Sequence, residues 1–274
     1  MASGKGGTGK TSVVVNLALS LGKVQILDCD VEEPNVHIFL KPDEEKRHHV
    51  TLPVPKILED RCDYCGECAR FCQFHAILIA GETAMVFSEL CHGCGGCSIV
   101  CPRDAIVEEP RQIGTVATGS KGDIEVVYGE INVGEPLATP VISAVKEHIR
   151  EEGIVILDSS PGSCCPVVET IHGTDFCLLV TEPTPFGLHD LKIVVEVVRQ
   201  LGIPMGVVVN FAGIGDRGVY EYCEEQDIPI MMEIPFDLKI ANLYSRGIPF
   251  VMEMPELKIM FQELMGCIEE ELDT

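Results

Sequence analysis

Ten residues near the start of the chain, Ser3-Gly4-Lys5-Gly6-Gly7-Thr8-Gly9-Lys10-Thr11-Ser12, restrict its fold more than anything after them. They satisfy G-x-x-x-x-G-K-[ST], from Gly4 through Gly9 to Lys10 and Thr11. Gly4, Gly6, Gly7 and Gly9 let successive backbone N–H groups, with those of Thr8 and Ser12, face phosphate oxygens with no Cβ in the way. Lys10 brings a point charge to the β/γ-phosphates, and the Thr11 hydroxyl is placed to ligate Mg²⁺. The apolar run Val13-Val14-Val15 and Leu17-Ala18-Leu19 follows, so the loop opens a helix whose N-terminus favours an anion. A plain glycine-rich turn would not need Lys-Thr in this register. The stretch predicts a nucleoside triphosphate site on a strand–loop–helix unit.

The rest of the chain supplies the sheet for such a unit. Lys23-Val24-Gln25-Ile26-Leu27 reads as a buried strand ending in Asp28-Cys29-Asp30, and Ile154-Val155-Ile156-Leu157 as another ending in Asp158. An apolar strand closing on a carboxylate is the arrangement by which Asp158 reaches Mg²⁺. Further strands are expected at Phe176 to Val180, at Met205 to Val209 before Asn210, and at Ile230 to Ile234 before Pro235-Phe236-Asp237. Helices are expected from about Leu137 to Glu151 and from Leu188 to Leu201. Alternation of this kind predicts an α/β fold, a mostly parallel sheet flanked by helices. Only Met1-Ala2-Ser3 precede Gly4, so the first strand is either very short or begins upstream. Lys41 to His49 reads as a polar surface excursion, and Gly119-Ser120-Lys121-Gly122 as a hairpin turn.

Eight of the fourteen cysteines fall into two runs: Cys62-x2-Cys65-x2-Cys68-x3-Cys72, and Cys91-x2-Cys94-x2-Cys97-x3-Cys101-Pro102. The runs align internally, Gly66 with Gly95 and Ala76-Ile77 with Ala105-Ile106. This spacing, used twice, is that of bacterial ferredoxins with two 4Fe–4S clusters, where the fourth cysteine of each run ligates the other cluster. The expected sets are therefore Cys62, Cys65, Cys68 and Cys101, and Cys91, Cys94, Cys97 and Cys72. Zinc is the competing occupant, since CxxC pairs are common zinc ligands. The Cys-Pro ending and the four-plus-four partition favour iron–sulfur. Gln73 stands where a proline is expected after Cys72, which loosens a turn but removes no ligand. The reading divides the chain into a discontinuous nucleotide domain, residues 1–56 and 111–274, and an inserted small α+β ferredoxin domain, residues 57–110.

Composition narrows the classes further. A net charge of −23 argues against binding a nucleic-acid backbone or an anionic membrane surface. No apolar run approaches transmembrane length, and no leader precedes the glycine loop, so a cytoplasmic location is expected. A cysteine-rich chain with such a motif is not expected to be a disulfide framework.

A second loop lysine carries a resemblance. G-K-G-G-T-G-K-T, with Lys5 ahead of Lys10, is similar to the deviant phosphate loop of the MinD/ParA/nitrogenase-iron-protein superfamily of P-loop ATPases. The resemblance covers essentially the whole chain and implies ATP hydrolysis in an ATP-dependent sandwich dimer, a homodimer or a pairing with a related ATPase. Lys5 would then reach into the partner's nucleotide. It also implies that Asp30, followed by Pro34-Asn35, lies in a first switch and orients the attacking water, and that Asp158-Ser159-Ser160-Pro161-Gly162 is a second switch. Members of the superfamily often show Pro-Pro-Gly at that switch, so Ser160 is a mild departure. Asn210 would meet the adenine edge, with Pro235 in a loop near the base. Thr181-Glu182-Pro183-Thr184 resembles the T-x-P turn of the superfamily. Cys164-Cys165 follows the second switch at a distance similar to that of a cluster-ligating cysteine in the nitrogenase iron protein; buried packing is the competing role. The expected function is ATP-gated electron transfer to a redox or metallocofactor partner protein. An iron–sulfur carrier and a redox-sensing switch are the alternatives.

Overall fold

The computed structural model describes residues 1–273; the final residue of the predicted nucleotide domain, Thr274, lies outside the described residues. Helix α1 (Lys10–Leu21) opens directly on the glycine loop and buries Val13, Val14, Val15, Leu17 and Ala18. Strand β1 (Gln25–Asp28) follows and pairs in parallel with β7 (Val155–Asp158) on one side and β6 (Ile124–Ile131) on the other. β6 pairs antiparallel with β5 (Ile106–Lys121), and β5 carries β2 (Asp43–Ile57) antiparallel at the sheet edge. β8 (Cys177–Thr181), β9 (Met205–Ala212) and β10 (Ile230–Pro235) form a second, parallel set.

Residues 1–3 join the two sets as the very short first strand. The Met1 nitrogen donates to Leu157 O at 2.6 Å, and Ser159 N to Met1 O at 3.1 Å. On the other side Ala2 N donates to Leu178 O at 3.0 Å, and Val180 N to Ala2 O at 2.9 Å. The backbone N–H and C=O groups of Met1 and Ala2 thus all find partners, along β7 and its end on one side and along β8 on the other.

The period of two along β8 assigns the layers. Leu178 and Val180 pack with α1 and with α10 (Pro255–Leu272), while Cys177 and Leu179 pack with α7 (Pro185–Gln200) on the opposite face. Phe261 of α10 is 0% exposed, so its truncation to Ala would cost about 3–5 kcal/mol. The α5 helix (Thr139–Lys146) covers β1, β5 and β6 on the α7 side of the sheet; it is shorter than the expected 137–151.

The largest departure from expectation is the stretch 41–49. It is not a surface excursion. A short helix α2 (Val36–Leu40) leads into β2, which runs from Asp43 opposite Ser120 to Ile57 opposite Ile106. The strand escapes a pattern search because it lies at an edge, where Asp43 to His49 are all exposed and cost nothing as charges. Pro53 and Pro55 are tolerated there because an edge strand has one unpaired side. The hairpin turn falls two residues later than expected, centred on Gly122-Asp123. Beyond the far end of the β2–β5 ladder lie α3 (Glu67–Phe71), the hairpin β3 (Ile77–Ala80) and β4 (Thr83–Val86), and α4 (Gly96–Ile99). Among the described residues no helix is long and apolar enough to cross a membrane.

His48 on β2 meets His148 just past α5, Nε2 to Nε2 at 3.3 Å. One ring must accept, so the contact needs at least one neutral imidazole. Burial first, and then His48, hold His148 below its usual value of 6.5. The unfolded chain therefore binds more protons as pH falls through that value, and the folded state loses stability there. Between about pH 8 and pH 5 the urea midpoint of the wild type should fall more than that of His148→Gln. Equal slopes would show that the pair does not set acid sensitivity.

Candidate functional site

The loop is packed tightly against α7 and β9. A Cβ on Gly4 would stand 2.2 Å from Asp190 O, and one on Gly9 would stand 2.3 Å from Asn210 Nδ2, with Gly9 at φ 87°. Only glycine fits either position. Lys10 is 6% exposed and its ammonium binds Asp158 Oδ1, while Thr11 Oγ1 donates to Asp158 Oδ2 at 2.6 Å. Lysine, threonine and strand-end carboxylate are thus gathered at one point. Lys5 Nζ lies 2.5 Å from Glu182 Oε1, which also accepts from Thr184 Oγ1 at 2.9 Å. Both loop lysines are neutralised by carboxylates of their own chain.

Around them lies a cavity of about 420 Å³, bordered on one side by residues 3–13 and on the other by Asn210, Phe211, Pro235, Phe236, Ile240 and Tyr244. Gly6, Gly7, Ser12 and Asp30 also line it. Two polar atoms at this site, Thr8 Oγ1 and Asn35 Oδ1, are buried without a hydrogen-bond partner. Orphaned buried oxygens beside a cationic, glycine-lined cradle fit a polyphosphate with Mg²⁺, held by Thr11 and Asp158. Asn210 is already engaged: Nδ2 donates to Thr8 O at 2.8 Å and Oδ1 accepts from Phe211 N at 3.0 Å. An amide has a further donor hydrogen and a further lone pair, so its edge can still meet a base while it braces the loop.

Asp30, expected to handle water, borders the cavity and is half-buried. Burial, opposed by Lys10 and aided by Asp158, pushes its carboxyl up to about 6. Sequence reading missed the residue that organises this segment, Asp28. It is fully buried and accepts from Asp30 N at 3.1 Å, Asn35 N at 2.9 Å and Val36 N at 3.0 Å. Burial first, then Asp158, raise its carboxyl to about 7. The signal was present in Asp28-Cys29-Asp30: the carboxylate nearest the strand is the one the sheet can bury.

Cys62, Cys65, Cys68 and Cys101 line one cavity; Cys72, Cys91, Cys94 and Cys97 line a second. Repeat partners share backbone geometry, with left-handed φ at Tyr64 (58°) and Gly93 (65°), Gly66 (78°) and Gly95 (70°), and His75 (53°) and Asp104 (48°). They also share N–H donors to sulfur: Tyr64 N to Cys62 and Gly93 N to Cys91, each at 3.4 Å, then Ala76 N to Cys72 at 3.3 Å and Ala105 N to Cys101 at 3.4 Å. No two of the fourteen cysteines are joined in a disulfide. Burial raises the thiols of Cys68 and, to about 11, Cys97. Among the described residues no three His, Cys, Asp or Glu side chains converge on a point suited to one metal ion. Four thiols around a cavity, with amides aimed at sulfur, suit a polynuclear cluster whose irons each take one thiolate. Cys164 and Cys165 are exposed rather than packed, and Cys164 shares a cavity with Asp30 and Glu33.

A glycine loop opening a helix, beside carboxylates at the ends of parallel strands, defines a P-loop nucleotide-binding protein. Residues 1–250 match the CobQ/CobB/MinD/ParA nucleotide-binding domain, and the chain belongs to that nucleotide-binding family. An uncharacterised protein of Methanocaldococcus jannaschii is 30% identical over 277 residues, covering 98% of this chain and 94% of its own. An iron–sulfur cluster carrier protein of the same organism is 23% identical, covering 99% of this chain and 83% of its own. The septum site-determining protein MinD of Pyrococcus horikoshii, solved with Mg-ADP, shares the fold with a TM-score of 0.58 at 21% identity, covering 96% of this chain and 91% of its own.

Lys10→Ala should abolish Mg-ATP binding by calorimetry. It should also lower the stability of the nucleotide-free protein by about 3–5 kcal/mol in urea, because Asp158 is left buried and unpaired. Iron content should not change. Loss of iron together with nucleotide would show that the two sites are not separable.

Proposed function

We propose that the chain hydrolyses ATP to gate one-electron transfer from two 4Fe–4S clusters to a partner protein or metal centre. The observation that carries this reading is the crossed gathering of eight cysteines at the end of a ladder that grows out of the nucleotide domain. Residues 57–110 then act as the ferredoxin unit and residues 1–56 and 111–274 as the ATPase.

The chain's own groups divide the work. The glycine amides and Lys10 would bind and orient the triphosphate, which needs positioning and charge neutralisation more than covalent help. Thr11 and Asp158 would hold Mg²⁺, which when bound neutralises charge on the phosphates. Nucleotide arrival must displace Lys10 from Asp158, so the second switch segment registers occupancy directly. Asp30, half-buried at the cavity wall, would hold a water and accept its proton. Lys5 would leave Glu182 to reach the nucleotide of a second subunit. Cys62, Cys65, Cys68 and Cys101, and Cys72, Cys91, Cys94 and Cys97, would hold the clusters, which when bound store and pass single electrons. The N–H donors to sulfur are groups that tune such potentials.

A second reading, an iron–sulfur carrier, is favoured by the relatives named as carriers and by the exposed pair Cys164-Cys165. Transfer of iron and sulfide to an apo-acceptor would separate it from the first.

Cys65→Ser should remove one cluster's iron, about four atoms, by iron and sulfide analysis; a zinc-containing product would reverse the assignment. Lys5→Ala should reduce ATP-dependent self-association in sedimentation velocity, and an unchanged profile would sink the sandwich dimer. An anaerobic redox titration with and without Mg-ATP tests the gating itself. A shift of the cluster midpoint supports it, and identical curves remove it.

A further inference from the structure

One rung crosses the whole five-stranded sheet. Asp158 on β7, Asp28 on β1, Tyr128 on β6, Ala117 on β5 and Arg47 on β2 are successive register partners. At one end is the carboxylate that holds Lys10 and Thr11; at the other is the edge strand that leads to the cysteines. Tyr128 is the side chain on this rung that touches segments from both ends.

Toward the nucleotide, Asp28 fixes the amides of Asn35 and Val36, which start α2. One residue on, His37 stacks on Tyr128, centroids 4.5 Å apart and planes 13° from parallel. The His37 Nδ1 is buried with no hydrogen-bond partner, so no bond through that atom pins the ring against sliding over the tyrosine. Toward the arm, the Tyr128 hydroxyl donates to Glu45 Oε1 at 3.0 Å and accepts from Arg47 Nη2 at 2.6 Å. Arg47 also bonds Glu130 Oε2 at 2.5 Å and lies 5.5 Å over the Tyr128 ring. The tyrosine ring is fully buried, so it cannot yield to solvent when pushed.

β2 is irregular on either side of this point. Its register with β5 shifts between Asp43 and Lys46 and again between Val50 and Thr51, bracketing the stretch that carries Arg47. Such irregularities re-aim a strand locally. Past the second shift, Leu52 and Pro53 crowd Gly93, Pro53 and Pro55 border the cavity of Cys72, Cys91, Cys94 and Cys97, and Ile57 borders the other.

We propose that Tyr128 is a positioning residue that passes displacement of the 35–40 segment at the nucleotide site to the β2 arm, and so to the cysteines, on the reading that nucleotide state governs them. The ring transmits from α2, and the hydroxyl, through Glu45 and Arg47, transmits to β2.

Hydrogen–deuterium exchange of the anaerobic iron-loaded protein tests this, with Mg²⁺ and a non-hydrolysable ATP analogue compared with no nucleotide. In the wild type, protection should change in both 35–41 and 43–57. In Tyr128→Phe, which keeps the stack and the packing, the first response should persist and the second should fall about fivefold or more. Arg47→Gln, at a half-exposed side chain, should do the same. Nucleotide affinity and iron content should stay at wild-type levels in both. An undiminished response of 43–57 in both variants, or none in the wild type, overturns the proposal. Parallel redox titrations keep the two readings apart. If the arm responds but the midpoint does not, electron gating fails and the coupling stands. If the midpoint shifts equally in wild type and Tyr128→Phe, the coupling fails and gating stands.

Discussion

The structure depends on a lysine and an aspartate that share a nearly water-free point. Lys10 is 6% exposed and Asp158 is fully buried, so neither charge is tolerable there alone. The pair exists because a helix start and a strand end are brought together by residues 1–3, which bond β7 on one side and β8 on the other. On the proposed reading, a triphosphate would offer Lys10 a stronger partner and free Asp158 for a cation. The site is thus held together, before any ligand, by an interaction that the ligand must replace. Lys5 repeats the arrangement at the cavity's rim with Glu182.

Most of the nucleotide half is legible in the sequence, because its physics is local. Glycine, lysine and threonine at fixed spacing can mean little else, and apolar strands closing on Asp28 and Asp158 mark where a parallel sheet presents its carboxyl ends. The cysteine sets are equally legible, because the spacing states which thiols can converge. Less legible are features whose cause lies across the sheet. Asp28 outranks Asp30 in organising its segment: its place at the strand end hints at burial, but its amide partners and its register with Asp158 are set by the fold. The exposed, charged stretch from Asp43 to His49 has no hydrophobic period because its partner β5 supplies the order.

The antiparallel wing gives the fold its particular character. β5 and β2 extend a sheet that is otherwise parallel, and they carry everything between Ile57 and Ile106 away from the nucleotide face. An edge strand rich in charge and proline resists pairing with other chains. It is also the strand most easily bent, since neighbours restrain it on one side only. Stiff body and compliant wing are joined by the Tyr128 cluster, where an aromatic stack and a network of charged hydrogen bonds meet on one residue.

The crossed cysteine partition has a topological consequence. Each cavity borrows its fourth thiol, Cys72 or Cys101, from the opposite half of the repeat. The halves are therefore interlocked like two links of a chain: neither can swing away without opening both cavities at once. Filling one cavity would also hold a segment of the other half in place. Damage at either place is correspondingly shared, and the wing is whole or undone as a unit.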